Sequence, residues 1–108
     1  MTGAPAASAI ETYLTGVDEA TFRTQRLIQD GVIRQLEIIG EAVKRLSKAT
    51  RNQHPRIPWQ DIAGMRDKLI HDYFGVDLDE VWLTATGDVP SLKAEVQFIL
   101  NKRQTDQT

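Results

Sequence analysis

Cysteine is absent from the 108 residues of this chain. Its absence excludes disulfide frameworks, thiolate metal sites and cysteine nucleophiles, and it favours a cytoplasmic location. Histidine is scarce as well, because there are only two, and neither stands among clustered carboxylates. Since metal ions are usually held by several such side chains, we expect no metal site, and nothing in the sequence points to a cofactor.

Long apolar runs and an excess of positive charge are also missing. No apolar run approaches the length of a membrane span, and residues 1–8 lack the basic and apolar parts of a signal peptide. The net charge of −2 argues against a protein that coats nucleic acid non-specifically. We expect one water-soluble domain over residues 1–108, with frayed termini at about 1–7 and 104–108 and no membrane association.

The apolar residues recur at helical spacing, and no segment has the alternation typical of a strand. The pattern predicts an all-α fold, a compact bundle of about five helices. They are expected at about residues 6–15, 18–49, 59–73 and 90–102, with a further short helix after the capping sequence 77–80. The segment 52–58, which holds two prolines, is expected to be a rigid connector, and Gly87 with Asp88 to separate the last two helices.

The long second helix contains two glycines, Gly31 and Gly40, each of which costs roughly 1 kcal/mol relative to alanine. They indicate close approach by another helix or, at Gly31, a break. On the outer face of this helix, Glu41 precedes Arg45 by four residues, which is the favourable order for a helical ion pair.

Positive charge is concentrated after this helix, in the stretch 42–60, which contains no Asp or Glu. Its cations can form a surface that binds RNA phosphates, or they can complement the dipole at the carboxyl end of a helix. The sequence leaves both explanations open. The five cations are Lys44, Arg45, Lys48, Arg51 and Arg56.

Ionisable residues are set into the third helix between positions 65 and 77. RNA carries its own nucleophile, the 2′-hydroxyl, so its cleavage requires a group that moves a proton and a cation that stabilises the developing negative charge. His71 can supply the first and Arg66 the second, without a metal. Asp67, four residues before His71, could bond and orient the imidazole ring.

The spacing of these residues suggests a dimer. On an ideal helix Arg66 and His71 differ by about 140°, whereas Arg66 and Tyr73 lie almost in line. One helix therefore does not direct Arg66 and His71 to a single point. A local distortion, the length of the arginine side chain or a two-fold dimer could bring them together, and we favour the dimer.

The motif Arg66-x-x-x-x-His71-x-Tyr73 resembles the signature of the HEPN superfamily. Its flanks resemble the HepT-like toxin branch, because QDGVIRQLEIIGEAVKRLS at 29–47, HPRIPWQDIAGMRDKLIHDYFGVDLDEVW at 54–82 and DVPSLKAEV at 88–96 follow that pattern. The similarity covers about residues 10–100. One departure is Asp67, where relatives commonly carry asparagine; the extra carboxylate is expected to affect RNA affinity or the pKa of His71.

The resemblance implies a HEPN-like homodimer that cuts RNA without a metal, with Arg66 and His71 of both chains in a cleft at the interface. It also implies the toxin of a type VII toxin–antitoxin system, whose partner is a minimal nucleotidyltransferase. That antitoxin would silence the toxin by transferring AMP to Tyr73, adding bulk and negative charge beside the arginine. Two alternatives stay open: a non-catalytic helical module that partners a nucleotidyltransferase, and a purely structural helical protein.

Overall fold

The structure, a computed structural model, describes the backbone of residues 3–71 and 76–96 and the side chains of residues 5–70 and 76–96. Within these ranges every regular element is helical and there is no strand, as predicted. The helices are α1 (Gly3–Leu14), α2 (Glu19–Thr24), α3 (Arg26–Lys44), α4 (Lys48–Gln53), α5 (Trp59–His71), α6 (Leu78–Leu83) and α7 (89–96). None of them is long and apolar enough to cross a membrane.

The turn between α1 and α2 follows the prediction. Gly16 ends α1 with a φ of +72°, a conformation that glycine adopts without strain. Asp18 then caps α2, since its Oδ1 accepts a hydrogen bond of 2.8 Å from the backbone N–H of Thr21. Hydrogen bonding by Thr21, first from its side chain and then from its backbone N–H, lowers the pKa of Asp18 below its ordinary value.

The prediction of one helix from Asp18 to Ala49 is wrong, because α2, α3 and α4 occupy this span. The first break lies at Gln25, whose φ and ψ are −107° and 89°, and not at Gly31. The side-chain amide of Gln29 stabilises it by donating to the carbonyls of Phe22 and Arg23 at 2.8 and 3.0 Å. The second break precedes α4, which begins after the N-cap Ser47.

Most of the core lies where α3 packs against α5 and α1. The buried side chains of α3 are Val32, Leu36, Ile39 and Val43, and those of α5 include Ile62, Met65 and Leu69. Both α3 glycines lie at helix contacts, as predicted: a Cβ at Gly31 would lie 3.3 Å from the Tyr13 ring, and one at Gly40 would lie 2.3 Å from Arg66 Cβ. The Gly40 contact sets the depth at which α5 meets α3.

From α6 onward the helices agree with the prediction at the cap of α6 and differ from it at Gly87. Asp77 caps α6 as predicted, accepting from the backbone N–H groups of Asp79 and Glu80. The predicted break at Gly87 and Asp88 is wrong, because a π-helical turn, Thr84–Asp88, carries the chain directly into α7. This wider turn ends two residues before Pro90, which has no N–H to donate, so the helix can continue past the proline.

Candidate active site

Arg66 reaches the surface from the contact between α5 and α3. Its side chain is 30% exposed. Nη2 lies 3.1 Å from Oε2 of Glu41 on α3, and Nη1 lies 3.3 Å from Oδ1 of its neighbour Asp67. The guanidinium is therefore held between two carboxylates that come from different helices.

Asp67 bridges two cations. The same Oδ1 that contacts Arg66 accepts a hydrogen bond from Nζ of Lys44, at the end of α3, at 2.5 Å. The hydrogen bond from Lys44 lowers the pKa of Asp67 below its ordinary value, and the charges of Lys44 and Arg66 add to this effect. Asp67 is thus an anion throughout the neutral pH range.

A shallow groove of about 320 Å³ lies beside this cluster, between α3 and α5. Arg66, Glu41, Arg45 and the exposed Ile70 are among its lining residues. Glu41 also pairs with Arg45, whose Nε lies 3.5 Å away; this is the helical pair that the sequence predicts. Among the described residues, three cations and two carboxylates make up the cluster, and their net charge of +1 favours an anionic ligand. The five are Arg66, Lys44, Arg45, Glu41 and Asp67.

The other two motif residues are less fully described. His71 is the last residue of α5, and its side chain lies outside the described residues. Tyr73 lies outside them altogether. The bond from Asp67 to His71 and the alignment of Arg66 with Tyr73 therefore stay predictions, while the described contacts of Asp67 are those with Arg66 and Lys44.

The five cations of the stretch 42–60 do not all have the same surroundings. Lys44 pairs with Asp67 and Arg45 with Glu41. Arg51 donates from Nη2 to the carbonyls of Val43 and Lys44 at 3.0 and 3.3 Å, which supports the helix-dipole explanation for this residue. The two others are exposed: Lys48 lines a groove beside Trp59, and Arg56 lines a second groove with His54 and Glu95.

Aromatic and histidine side chains outside the motif have structural contacts. Trp59 is 8% exposed and donates from Nε1 to the carbonyls of Arg51 and His54. Trp82 packs against Phe22, with ring centroids 5.3 Å apart. His54 Nδ1 lies 3.1 Å from Glu95 Oε1. Among the described residues no three His, Asp or Glu side chains are grouped so as to hold a metal.

Glu41 is the site residue that sequence reasoning missed. Its four-residue spacing to Arg45 indicated only a pair within one helix, whereas the structure adds a contact to Arg66 of α5. A signal was present in the preceding Gly40. A glycine inside a helix marks close approach by another backbone, and an acid beside it is well placed to meet a cation of the approaching helix.

Curated proteins match the chain over most of its length. "Putative RNase TTE0752" of Caldanaerobacter subterraneus subsp. tengcongensis is 45% identical over 89 residues, which are 82% of this chain and 80% of that protein. "Putative RNase MJ0125" of Methanocaldococcus jannaschii is 46% identical over 91 residues, 84% and 78% of the two chains. "Probable ribonuclease HepT" of Thermococcus cleftensis is 45% identical over 94 residues, 87% and 86%. No solved structure matches the chain significantly.

A family match spans the described helices. The family described as "Ribonuclease HepT-like" matches residues 5–99, a range that includes Arg66, His71 and Tyr73. The resemblance drawn from the motif and its flanks is thereby confirmed. This chain belongs to the HepT-like family of the HEPN superfamily.

Proposed function

We propose that the chain is a metal-independent endoribonuclease and the toxin of a type VII toxin–antitoxin system, with Arg66 and His71 as catalytic residues. The observation that carries the proposal is the position of Arg66: a partly exposed arginine, held by carboxylates, at an open groove with net positive charge. The names of the relatives support an RNA substrate, because all three name an RNase or a ribonuclease.

The chemistry needs only groups that the chain and RNA carry. The 2′-hydroxyl of the substrate attacks the adjacent phosphorus, and the bond from phosphorus to the 5′-oxygen breaks. His71 moves the proton from the attacking oxygen or to the leaving one, while the Arg66 guanidinium donates hydrogen bonds to the phosphoryl oxygens as their charge grows. The products are a 2′,3′-cyclic phosphate and a free 5′-hydroxyl.

The working unit in this proposal is a homodimer. His71 lies five positions after Arg66 in α5, and positions five apart on an ideal helix differ by about 140°. A two-fold axis beside α5 would place Arg66 of one chain near His71 of the other. Ile70, which is 44% exposed and lines the Arg66 groove, provides apolar surface for such a contact.

Regulation in this proposal is covalent. A minimal nucleotidyltransferase antitoxin transfers the AMP group of ATP to the Tyr73 hydroxyl oxygen, which loses its proton while pyrophosphate leaves. The added phosphate repels RNA from the Arg66 groove. Toxin and antitoxin act together in the cytoplasm, and the toxin itself needs no cofactor.

The direct test is cleavage of RNA by the purified chain in the presence of EDTA. Wild type should produce cyclic phosphate and 5′-hydroxyl ends, and Arg66→Ala and His71→Ala should each lose about 100-fold or more in rate. Gel filtration and thermal unfolding serve as controls for assembly and folding. If both variants cut RNA at the wild-type rate, the proposed mechanism is wrong; if no chain cuts RNA yet all bind a nucleotidyltransferase, the non-catalytic module is the better explanation.

A further inference from the structure

Two carboxylates contact the guanidinium of Arg66, and their surroundings differ. Glu41 belongs to α3, follows Gly40, where α3 packs closely against Arg66 of α5, and contacts Nη2. Asp67 belongs to α5 itself and contacts Nη1 with an oxygen that also binds Lys44. The contact of Glu41 with Arg66 joins two packed helices, whereas the Asp67 carboxylate lies between two cations.

We infer that Glu41 positions the Arg66 guanidinium for catalysis, whereas Asp67 occupies the place that a phosphate of the RNA takes. The inference rests on the proposed ribonuclease activity and assigns a separate role to each carboxylate. Glu41 is a positioning residue, since it acts through Arg66. Asp67 is a group that the substrate displaces.

A free arginine side chain is flexible, and this rotamer freedom must be lost before its planar group can meet a phosphate in a fixed orientation. The contact of Nη2 with Glu41 Oε2 restricts the guanidinium before the substrate arrives. Glu41 is itself paired with Arg45, at 3.5 Å. A guanidinium has five N–H donors, so others stay available to the substrate.

One oxygen of Asp67 contacts both Arg66 and Lys44. An anionic oxygen bound by an arginine and a lysine has the same partners that a phosphoryl oxygen would have at this site. The Asp67 side chain is 45% exposed, so rotation about its own bonds can move it into solvent. Its departure releases both Arg66 and Lys44 toward the incoming phosphate. RNA binding therefore competes with an internal ion pair.

A purely electrostatic role for the two carboxylates predicts different effects of their removal on the kinetic constants. If both carboxylates acted only through their charge, removing either would strengthen RNA binding and leave kcat unchanged. If their roles differ, the two removals affect different kinetic constants. Glu41→Gln should lower kcat at least about 10-fold with little change in KM, because the guanidinium is misplaced. Asp67→Asn should lower KM several-fold.

The matched control is Glu37→Gln. Glu37 lines the same groove one turn before Glu41 and pairs with Arg34 at 3.5 Å, so this variant removes an equal charge without touching Arg66. Steady-state kinetics on one RNA at fixed salt, with thermal unfolding of each full-length variant, gives the comparison. Glu41→Ala should be slower than Glu41→Gln, which keeps an acceptor oxygen.

The kinetic constants of the variants test the role of each carboxylate separately. A Glu41→Gln enzyme that matches Glu37→Gln, or that gains affinity as Asp67→Asn does, overturns the positioning role. An Asp67→Asn enzyme with unchanged KM overturns the displacement role. Arg66→Ala separates these failures from failure of the proposed function: if that variant is also fully active, the ribonuclease mechanism itself is wrong, whereas its inactivity confines the error to the carboxylates.

Discussion

Arg66 lies directly against Gly40, and a Cβ atom added to the glycine would come within 2.3 Å of Arg66 Cβ and 3.2 Å of the carbonyl oxygen of Ile62. Real Cβ atoms do not approach so closely, so α5 would have to move. Arg66 is thus positioned by a missing side chain on the neighbouring helix. Even a small shift of α5 would move the guanidinium of this proposed catalytic residue.

Gly40→Ala should therefore destabilise the protein and slow RNA cleavage. The expected loss is roughly 1–3 kcal/mol in the free energy of unfolding, the usual range for overpacking. Gly64→Ala is the matched control, because a Cβ at Gly64 in α5 meets none of the described residues within 4 Å, and it should stabilise the protein by roughly 0.5–1 kcal/mol. Urea unfolding measures both. Equal stability of the two variants would contradict the packing argument.

Apolar periodicity predicted which faces are buried, but it could not predict where the long helix breaks. Gln25 and Arg26 are ordinary helix formers, and the break depends on the side chain of Gln29 bonding to the carbonyls of α2. The candidate site could likewise be predicted only in part. Arg66 was predicted from its motif. The contact of Glu41 with Arg66 could not be predicted, because it depends on how α3 packs against α5 and residue spacing along one helix gives no information about that packing.

The two basic residues of α4 should behave differently when their charge is reversed. Lys48→Glu changes an exposed side chain and should weaken RNA binding and flatten its salt dependence, with stability nearly unchanged. Arg51→Glu also removes the donor to the carbonyls of Val43 and Lys44, so it should cost about 1–2 kcal/mol of stability. Binding titrations at several salt concentrations and thermal unfolding test this. An unchanged salt slope for Lys48→Glu would leave no role for it in RNA binding.

Silencing through Tyr73 predicts a separation of activity from regulation. Tyr73→Phe keeps the ring but removes the hydroxyl that accepts AMP, so the variant should fold and cut RNA but resist the antitoxin's transfer reaction. Mass spectrometry of wild-type chain co-expressed with its nucleotidyltransferase should find AMP on the peptide that contains Tyr73. An adduct elsewhere, or full neutralisation of the Phe variant, would point to another means of silencing, such as occlusion of the groove.

The carboxyl group of Asp88 predicts a pH-dependent effect on stability. Burial raises its pKa above the ordinary value of 3.8, and the nearby charge of Asp61 adds to the increase. Because folding raises the pKa of Asp88, the protonated carboxyl favours the folded state and the ionised carboxylate opposes it. The contribution of Asp88 to the free energy of unfolding is therefore fully present below pH 3.8 and is lost as pH rises through the raised pKa.

Asp88→Asn should therefore be more stable than wild type at pH 7, by about 0.5 kcal/mol, the usual scale for a partly exposed site. The difference should disappear below pH 3.8, where Asp88 is protonated in both states. Asp61→Asn should give part of the same gain, and the double variant should gain less than the sum, because the two carboxylates repel each other. Thermal unfolding between pH 3 and pH 8 provides the measurement, and a gain independent of pH would mean that charge is not its cause.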